Sequence, residues 1–386
     1  MSADVYSSLL KALSMLDMGD ITSYPVRASA AGAIAGLLEN DYLPPEWLPL
    51  LEVVAGGIGT EDEETTSILF QLLSSVVEAG NENVAVHVPY IVSSLVDAIS
   101  KCIPHNQEPW PQVVERGFAA LAVMAQCWED SMPEEVEQNE SGEKWASGQA
   151  ATARAFSALL QQAWLSPVHP IVNALCLEGE VSPPPSCIDD SSTLLRYIVR
   201  SVTGNNVILE LKVSELLLVW ADLIADWHAW EESEDLSIFD CIKEVVNLYR
   251  NFGLENFIER RMPSPPAPPV AQRSIIESIA VFVSKAISQY PSATWRSCLC
   301  VHILLHVPSY PFETVGVKQS LAITFSQAAF SRFREIRIKP CSLWKPLLLA
   351  ISSCYLCYPD IVEGILEKDE DKGFTVWASA LGNYLE

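Results

Sequence analysis

The sequence predicts an all-α protein, a solenoid of HEAT/ARM-like helical repeats, and three observations carry that prediction. Apolar residues recur at three-four spacing in segment after segment, the mark of amphipathic helices. Period-two alternation is nowhere sustained, so no sheet is expected. The stretch 24–47 holds the outline of one repeat unit: two helices, a short turn and an early Pro25-Val26-Arg27.

That stretch sets the pattern for the rest. Pro25 suits the first turn of a helix, where its missing N–H is not needed and its φ is already helical. The helix it opens is mostly Ala and Gly, with Val26, Ile34, Leu37 and Leu38 as its larger apolar residues, so neighbours are expected to approach it closely. Asn40-Asp41 ends it, and Pro44-Pro45-Glu46-Trp47 starts the next. A partial first helix is expected over 7–16. Ile68, Leu69, Leu72, Leu73, Val76 and Val77 form one stripe closed by Gly80. Further helices are expected over 89–101, 113–128 and 149–164. Leu216, Trp220, Leu223 and Trp227 line one face of a long helix, and Ile276, Ile279, Val283 and Ile287 line another.

One cue recurs. Trp47-Leu48-Pro49-Leu50-Leu51 and Trp344-Lys345-Pro346-Leu347-Leu348 open helices alike, with Trp110-Pro111 as a looser version. Their spacing is not a fixed multiple, so the unbroken helical pattern is the stronger argument for an array. Two proline-rich stretches, 182–186 and 263–269, read as stiff connectors and as seams between sub-blocks; the alternative is a polyproline ligand for a small adaptor domain. The expected organisation is HEAT-like repeats over 1–128, an acidic loop over 129–145, repeats over 146–262, a proline-rich connector over 263–270 and repeats over 271–386.

Composition narrows the function. Of 386 residues 49% are apolar, enough for a large core. The 49 Asp and Glu against 24 Lys and Arg leave a net charge of −25, which repels nucleic acid and anionic membrane and attracts basic proteins. The 10 cysteines are scattered through apolar helical runs such as 171–177, with no disulfide grid, and Met1-Ser2-Ala3-Asp4 shows no secretory start. No apolar run reaches the roughly 18 residues of a membrane span. A soluble, reduced, intracellular protein is expected, binding neither nucleic acid nor membrane directly.

No motif points to catalysis. Walker A, dinucleotide, zinc-protease and G-x-S-x-G patterns are missing, and Asp226-Trp227-His228-Ala229-Trp230 reads as the end of a buried helix rather than a general base. Cys298, His302 and His306 fall four apart, with Cys300 nearby and Cys354 and Cys357 downstream, but the apolar run around them favours a buried helix over zinc. No enzyme, cofactor or metal is expected. Arg332, Arg334, Arg337 and Lys339 lie in the last turns of a helix stopped by Pro340, where cations complement the dipole, so their role reads as structural.

The acidic insertion is the most informative polar feature. Glu129, Asp130, Glu134, Glu135, Glu137, Glu140 and Glu143 occur with no Lys or Arg among them, in a run broken by Pro133, Asn139 and Gly142. A flexible loop is expected, which would either engage Lys/Arg-rich cargo through many weak pairs or serve as a solubilising linker. Glu231, Glu232, Glu234 and Asp235 form a second, shorter cluster with the same two readings.

The 24–47 segment, the 216–230 helix and the acidic insertion between them resemble the middle of a large importin-β-type karyopherin, in the plant branch related to importins of ribosomal proteins and histones. The resemblance covers most of the chain and rests on no short diagnostic motif. It implies a nucleocytoplasmic transport receptor of cytoplasm, nucleus and nuclear pore. Such a receptor binds basic cargo proteins, crosses the pore by contact with Phe-Gly nucleoporins and releases cargo to the Ran GTPase. Family members are commonly far longer, and their Ran-binding surface lies largely in N-terminal repeats that nothing here matches. The chain therefore resembles a central portion, a truncated isoform or an incomplete gene model, and Ran is a conditional partner. The alternative is a Ran-independent HEAT-repeat scaffold or adaptor. The apolar ends, with Tyr6, Leu9, Leu10 and Leu13 at one and Phe374, Val376, Trp377, Leu381, Tyr384 and Leu385 at the other, read either as uncapped repeats or as terminal helices that fold back.

Overall fold

A computed structural model describes residues 7–9, 11, 23–38, 47–59, 62–80, 82–104, 110–130, 140–165, 185–226, 236–253, 274–306 and 316–385. The described residues are mostly helical, with no strand among them. The chain divides into two compact units, Met1–Ser201 and Val202–Glu386.

The first unit holds α1 (Ser23–Leu38), α2 (Trp47–Gly57), α3 (Glu63–Gly80), the single turn α4 (Glu82–Ala85), α5 (Val88–Cys102), α6 (Gln112–Asp130), α7 (Glu140–Leu165) and α8 (Pro185–Arg200). Its helices form two rows. One runs α1, α3, α6, α8, each packed on the next; in the other, α2 covers α3, while α5 packs on both α6 and α7. Local chemistry starts α3 where it does: Asp62 accepts hydrogen bonds from the Thr65 N–H at 2.9 Å and the Thr65 hydroxyl at 2.7 Å, and Glu63 and Glu64 face the positive end of the dipole. The stripe expected on α3 is buried through Leu69, Leu72, Leu73, Val76 and Val77, and Phe70 widens it. At the centre, three helices meet over Gly117: a Cβ there would lie 2.5 Å from Ile99 of α5 and 3.5 Å from Phe70 of α3.

At α1 the contact is made by alanines and larger apolar residues rather than by its glycines. Among the described residues, nothing lies within 4 Å of where a Cβ on Gly32 or Gly36 would stand. Contact with α3 comes instead through the buried face of Ala30, Ala31, Ile34 and Leu38.

The second unit holds α9 (Asn205–Glu210), α10 (Val213–Asp226), α11 (Ser237–Phe252), α12 (Ile275–Gln289), α13 (Thr294–Leu305), α14 (Gly316–Ile336), α15 (Trp344–Cys357), α16 (Pro359–Asp369) and α17 (Gly373–Leu385). Again there are two rows: α10, α12, α14, α16 and α11, α13, α15, α17, each helix touching the next but one in the chain. Adjacent helices α12 and α13, α14 and α15, and α16 and α17 tie the rows together. Helix α12 begins with a capping box between Ser274 and Glu277. It is also cross-linked to α10, because the Ser278 hydroxyl donates to Asp222 at 2.6 Å and the Lys285 ammonium donates to the Ala225 carbonyl. The buried side of α10 is Leu216, Leu217, Trp220, Ala221 and Ile224, rotated from the expected stripe because Leu223 is only half-buried; Trp227 lies outside the described residues.

The recurrent tryptophan cue has a physical basis at Trp344. Its ring packs edge-on against Phe333 at 5.2 Å, and its indole N–H donates to the Ile336 carbonyl at 3.3 Å, pinning the start of α15 to the end of α14. Of the basic residues closing α14, Arg334 and Arg337 are structural, as expected, though through contacts with the end of α16. Arg334 donates to the Asp369 carbonyl at the end of α16 and pairs with the Asp369 carboxylate at 2.9 Å, while Arg337 pairs with Glu370 at 2.7 Å. At the chain's other apolar end, Phe374 and Trp377 of α17 close over Tyr355 of α15, with ring centroids 5.5 and 5.3 Å away. Of the expected first helix, only residues 7–9 and 11 are described, and these are helical.

Candidate protein interface

The acidic stretch is more helical than its composition implied. Helix α6 continues through Asp130 and α7 already begins at Glu140, well before Gln149. Tertiary stacking overrides Gly142 and the polar sequence: Trp145 lies flat on Trp128 of α6, with centroids 5.6 Å apart and planes 3° from parallel. Below it, Gly148 sits under Pro89 of α5, where a Cβ would come within 2.8 Å.

Glu129 is not a loop carboxylate. Its side chain is 10% exposed and sits between two cations of α8, with Arg196 at 2.6 Å and Arg200 at 3.2 Å. Burial pushes its carboxyl above the usual range, and the two guanidiniums offset that push only in part. An acid held this way cannot receive a cargo cation, so Glu129 leaves the candidate set. Asp130 and Glu143 are exposed, at the end of α6 and near the start of α7, and Glu140 opens α7. Glu134, Glu135 and Glu137 lie outside the described residues, as do Glu231, Glu232, Glu234 and Asp235. The exposed acids therefore flank the segment 131–139 at the joint between two packed helices.

Behind Glu129 the contact between α6, α7 and α8 is a polar seam in an apolar core. The Tyr197 hydroxyl lies beside Thr152 and Trp128, and burial drives its phenol far above its ordinary range. Phe156 closes on the Tyr197 ring edge-on at 5.3 Å. Farther up α8, Asp189 and Asp190 are neighbours in a half-buried position; burial first, and Asp189 second, push the Asp190 carboxyl up to about 7. The adjacent pair is visible in the sequence, but its burial is not.

The Cys298 to His306 group splits across its helix. Cys298 and Cys300 are buried and their thiols are pushed up by that burial, Cys300 to about 12. His302 and His306 turn outward, their rings 4.6 Å apart and tilted 48° to each other, with His302 Nδ1 3.2 Å from the Ser353 hydroxyl. Among the described residues, no three His, Cys, Asp or Glu side chains could hold a metal ion together. Cys127, Cys187, Cys241, Cys298, Cys300 and Cys354 are buried and serve as small core residues, as the sequence led us to expect; Cys176 lies outside the described residues. Asp226 ends α10, and Trp227, His228 and Trp230 beyond it are not among the described residues. Among the described residues, no helix is long and apolar enough to cross a membrane.

No protein-family model and no curated protein sequence matches the chain.

Proposed function

We propose that the two rows of helices are successive repeats of a HEAT-type α-solenoid, and that the chain is a protein-binding transport receptor without catalysis. The observation that carries this reading is the packing order: in the second unit each helix of a row touches the next but one in the chain, and in the first α1, α3, α6 and α8 pack in series. Such a stack exposes long helix faces and loops in register, which suits the capture of a protein rather than a small substrate. The net charge of −25 selects a basic partner, and long-range attraction speeds its encounter. Importin-like transport, with Phe-Gly nucleoporins as pore contacts and Ran as a conditional partner, rests on the resemblance in sequence and places the chain in cytoplasm and nucleus.

Pull-downs with the purified chain test this. Retention of both a histone and Phe-Gly repeats is the expected result, with Ran-GTP arms showing whether this chain responds to the GTPase. Retention of histone with neither Phe-Gly repeats nor Ran-GTP would replace the receptor reading with that of a Ran-independent scaffold.

A further inference from the structure

Three helices of the first unit bring buried polar atoms to one seam, with α8 packed on both α6 and α7. Helix α6 supplies the Trp128 indole N–H and one oxygen of Glu129, α7 the Trp145 indole N–H and the Thr152 hydroxyl, and α8 the Tyr197 hydroxyl. Short contacts gather them. Glu129 meets Arg196, the residue before Tyr197, at 2.6 Å. Phe156, one turn beyond Thr152 on α7, meets the Tyr197 ring at 5.3 Å, and the Trp128 and Trp145 rings stack at 5.6 Å.

All five atoms are closed off from solvent, and none has a hydrogen-bond partner among the described residues. Thr152 is fully buried, and Tyr197 and Trp128 nearly so. Both guanidiniums of α8 go to the same carboxylate oxygen, Glu129 Oε2, which leaves Oε1 without a donor. The Tyr197 hydroxyl lies beside Thr152 and Trp128 but in hydrogen-bonding geometry with neither. A buried polar atom without a partner is costly, and folded proteins keep few of them. Five at one helix junction require a shared partner.

The chemistry of the set selects it. A cation has no use for two indole N–H groups, and an anion would face the Glu129 carboxylate. Water donates as well as accepts, is small enough to be enclosed as the helices close, and makes about three hydrogen bonds when buried. We infer that the α6–α7–α8 seam is a binding site for internal water, which accepts from the Trp128 indole, bridges the Thr152 and Tyr197 hydroxyls and donates to Glu129 Oε1. The Trp145 N–H, on the ring stacked over Trp128, is a further donor to it. The site does not depend on the transport reading.

Two near-isosteric variants test it through the sign of a stability change. Tyr197→Phe and Thr152→Val each remove one hydroxyl and keep the shape of the core. Removing an orphaned hydroxyl would raise the melting temperature, whereas removing one bonded to enclosed water should lower it by about 2–4 °C. A crystal structure of the full chain then separates water from a direct bond between protein groups. Density for water is expected within about 3.2 Å of the Tyr197 hydroxyl and of at least one among Thr152 Oγ1, Trp128 Nε1 and Glu129 Oε1. A melting temperature equal to or above the parent's in either variant would overturn the inference. So would a direct hydrogen bond from Tyr197 to Thr152 or Trp128 with no water between them.

Discussion

Trp128 and Trp145 stack face to face, 5.6 Å between centroids and 3° from parallel, although sixteen residues and an acidic, glycine-containing run separate them in the chain. Each ring comes from a different helix, so the stack holds the first turns of α7 against the last turn of α6. An aromatic pair contributes roughly 0.5–1.5 kcal/mol beyond the area it buries. Trp145→Ala should therefore free the start of α7 while leaving its buried half, around Phe156 and Leu160, in place. Hydrogen exchange is the measurement: amides over 140–148 should lose protection and those over 152–164 should keep theirs. Uniform protection across α7 in the variant would show that the helix start does not depend on the stack.

The pairing of Glu129 with Arg196 and Arg200 gives an ordered set of stability changes. Arg196 lies nearer to the carboxylate and is 13% exposed, whereas Arg200 is farther and 37% exposed. Removing one partner of a buried ion pair strands the other, at about 3–5 kcal/mol when nothing replaces it. With Arg200 still present, Arg196→Ala should cost about 2–3 kcal/mol, and Arg200→Ala clearly less because solvent already screens it. Urea unfolding would read the order, and equal losses in the two variants would mean that the carboxylate is not held mainly by Arg196.

The helices themselves were legible because their apolar spacing is local. The stripe on α3, the proline at the start of α5 and the apolar face of α12 all fall where the sequence puts them. The acidic candidate site was misread because its determinants are not local. Glu129 meets its cations 67 residues or more away, and nothing in residues 129–143 announces that. The start of α7 was missed for the same reason, since it depends on a ring in another helix.

Asp190 makes stability depend on pH, with a definite sign. Its carboxyl ordinarily titrates at 3.8 and in the folded chain is pushed up to about 7 by burial and by Asp189. Between these values the folded state binds the extra proton, so unfolding becomes easier as pH rises through that window. The stabilisation is complete below the ordinary value and is lost as pH passes about 7. Each pKa unit is worth about 1.4 kcal/mol, so the effect amounts to a few kcal/mol at most. Asp190→Asn should raise the melting temperature at neutral pH and flatten its decline between pH 4 and 7. An unchanged decline would assign the pH dependence to other groups.

Gly373 starts α17 one residue after Lys372, whose φ of 61° lies in the left-handed region. A Cβ on Gly373 would stand 2.0 Å from the Leu366 carbonyl oxygen and 3.1 Å from the Phe330 ring. The carbonyl belongs to the backbone of α16 and cannot swing aside, so Gly373→Ala should destabilise the second unit by roughly 1–3 kcal/mol or more. Lys372→Gly should act in the opposite direction, because glycine adopts a positive φ without the cost of roughly 1 kcal/mol that a side chain meets there. Thermal unfolding of both variants checks the pair, and Gly373→Ala melting with the parent would show that the turn between α16 and α17 can relax.

The acids around residues 131–139 provide the test of basic-cargo binding, and the structure changes which of them belong in it. Asp130, Glu134, Glu135, Glu137, Glu140 and Glu143 form the set to neutralise with Asn and Gln, and Glu129 is left in place because it holds α6 to α8. Exposed charges act across about 8–10 Å at physiological ionic strength, so binding through them should be fast and strongly weakened by salt. The neutralised variant should bind a histone more weakly and with a flatter dependence on salt. Asp130 and Glu143 are exposed, and exposed substitutions change stability little, so the melting temperature should stay within about 2 °C of the parent. Glu129→Gln, made alone, should do the reverse, lowering stability while leaving the salt slope intact. If the neutralised variant keeps both the affinity and the slope, these acids serve solubility, and basic cargo must be met by the helix faces instead.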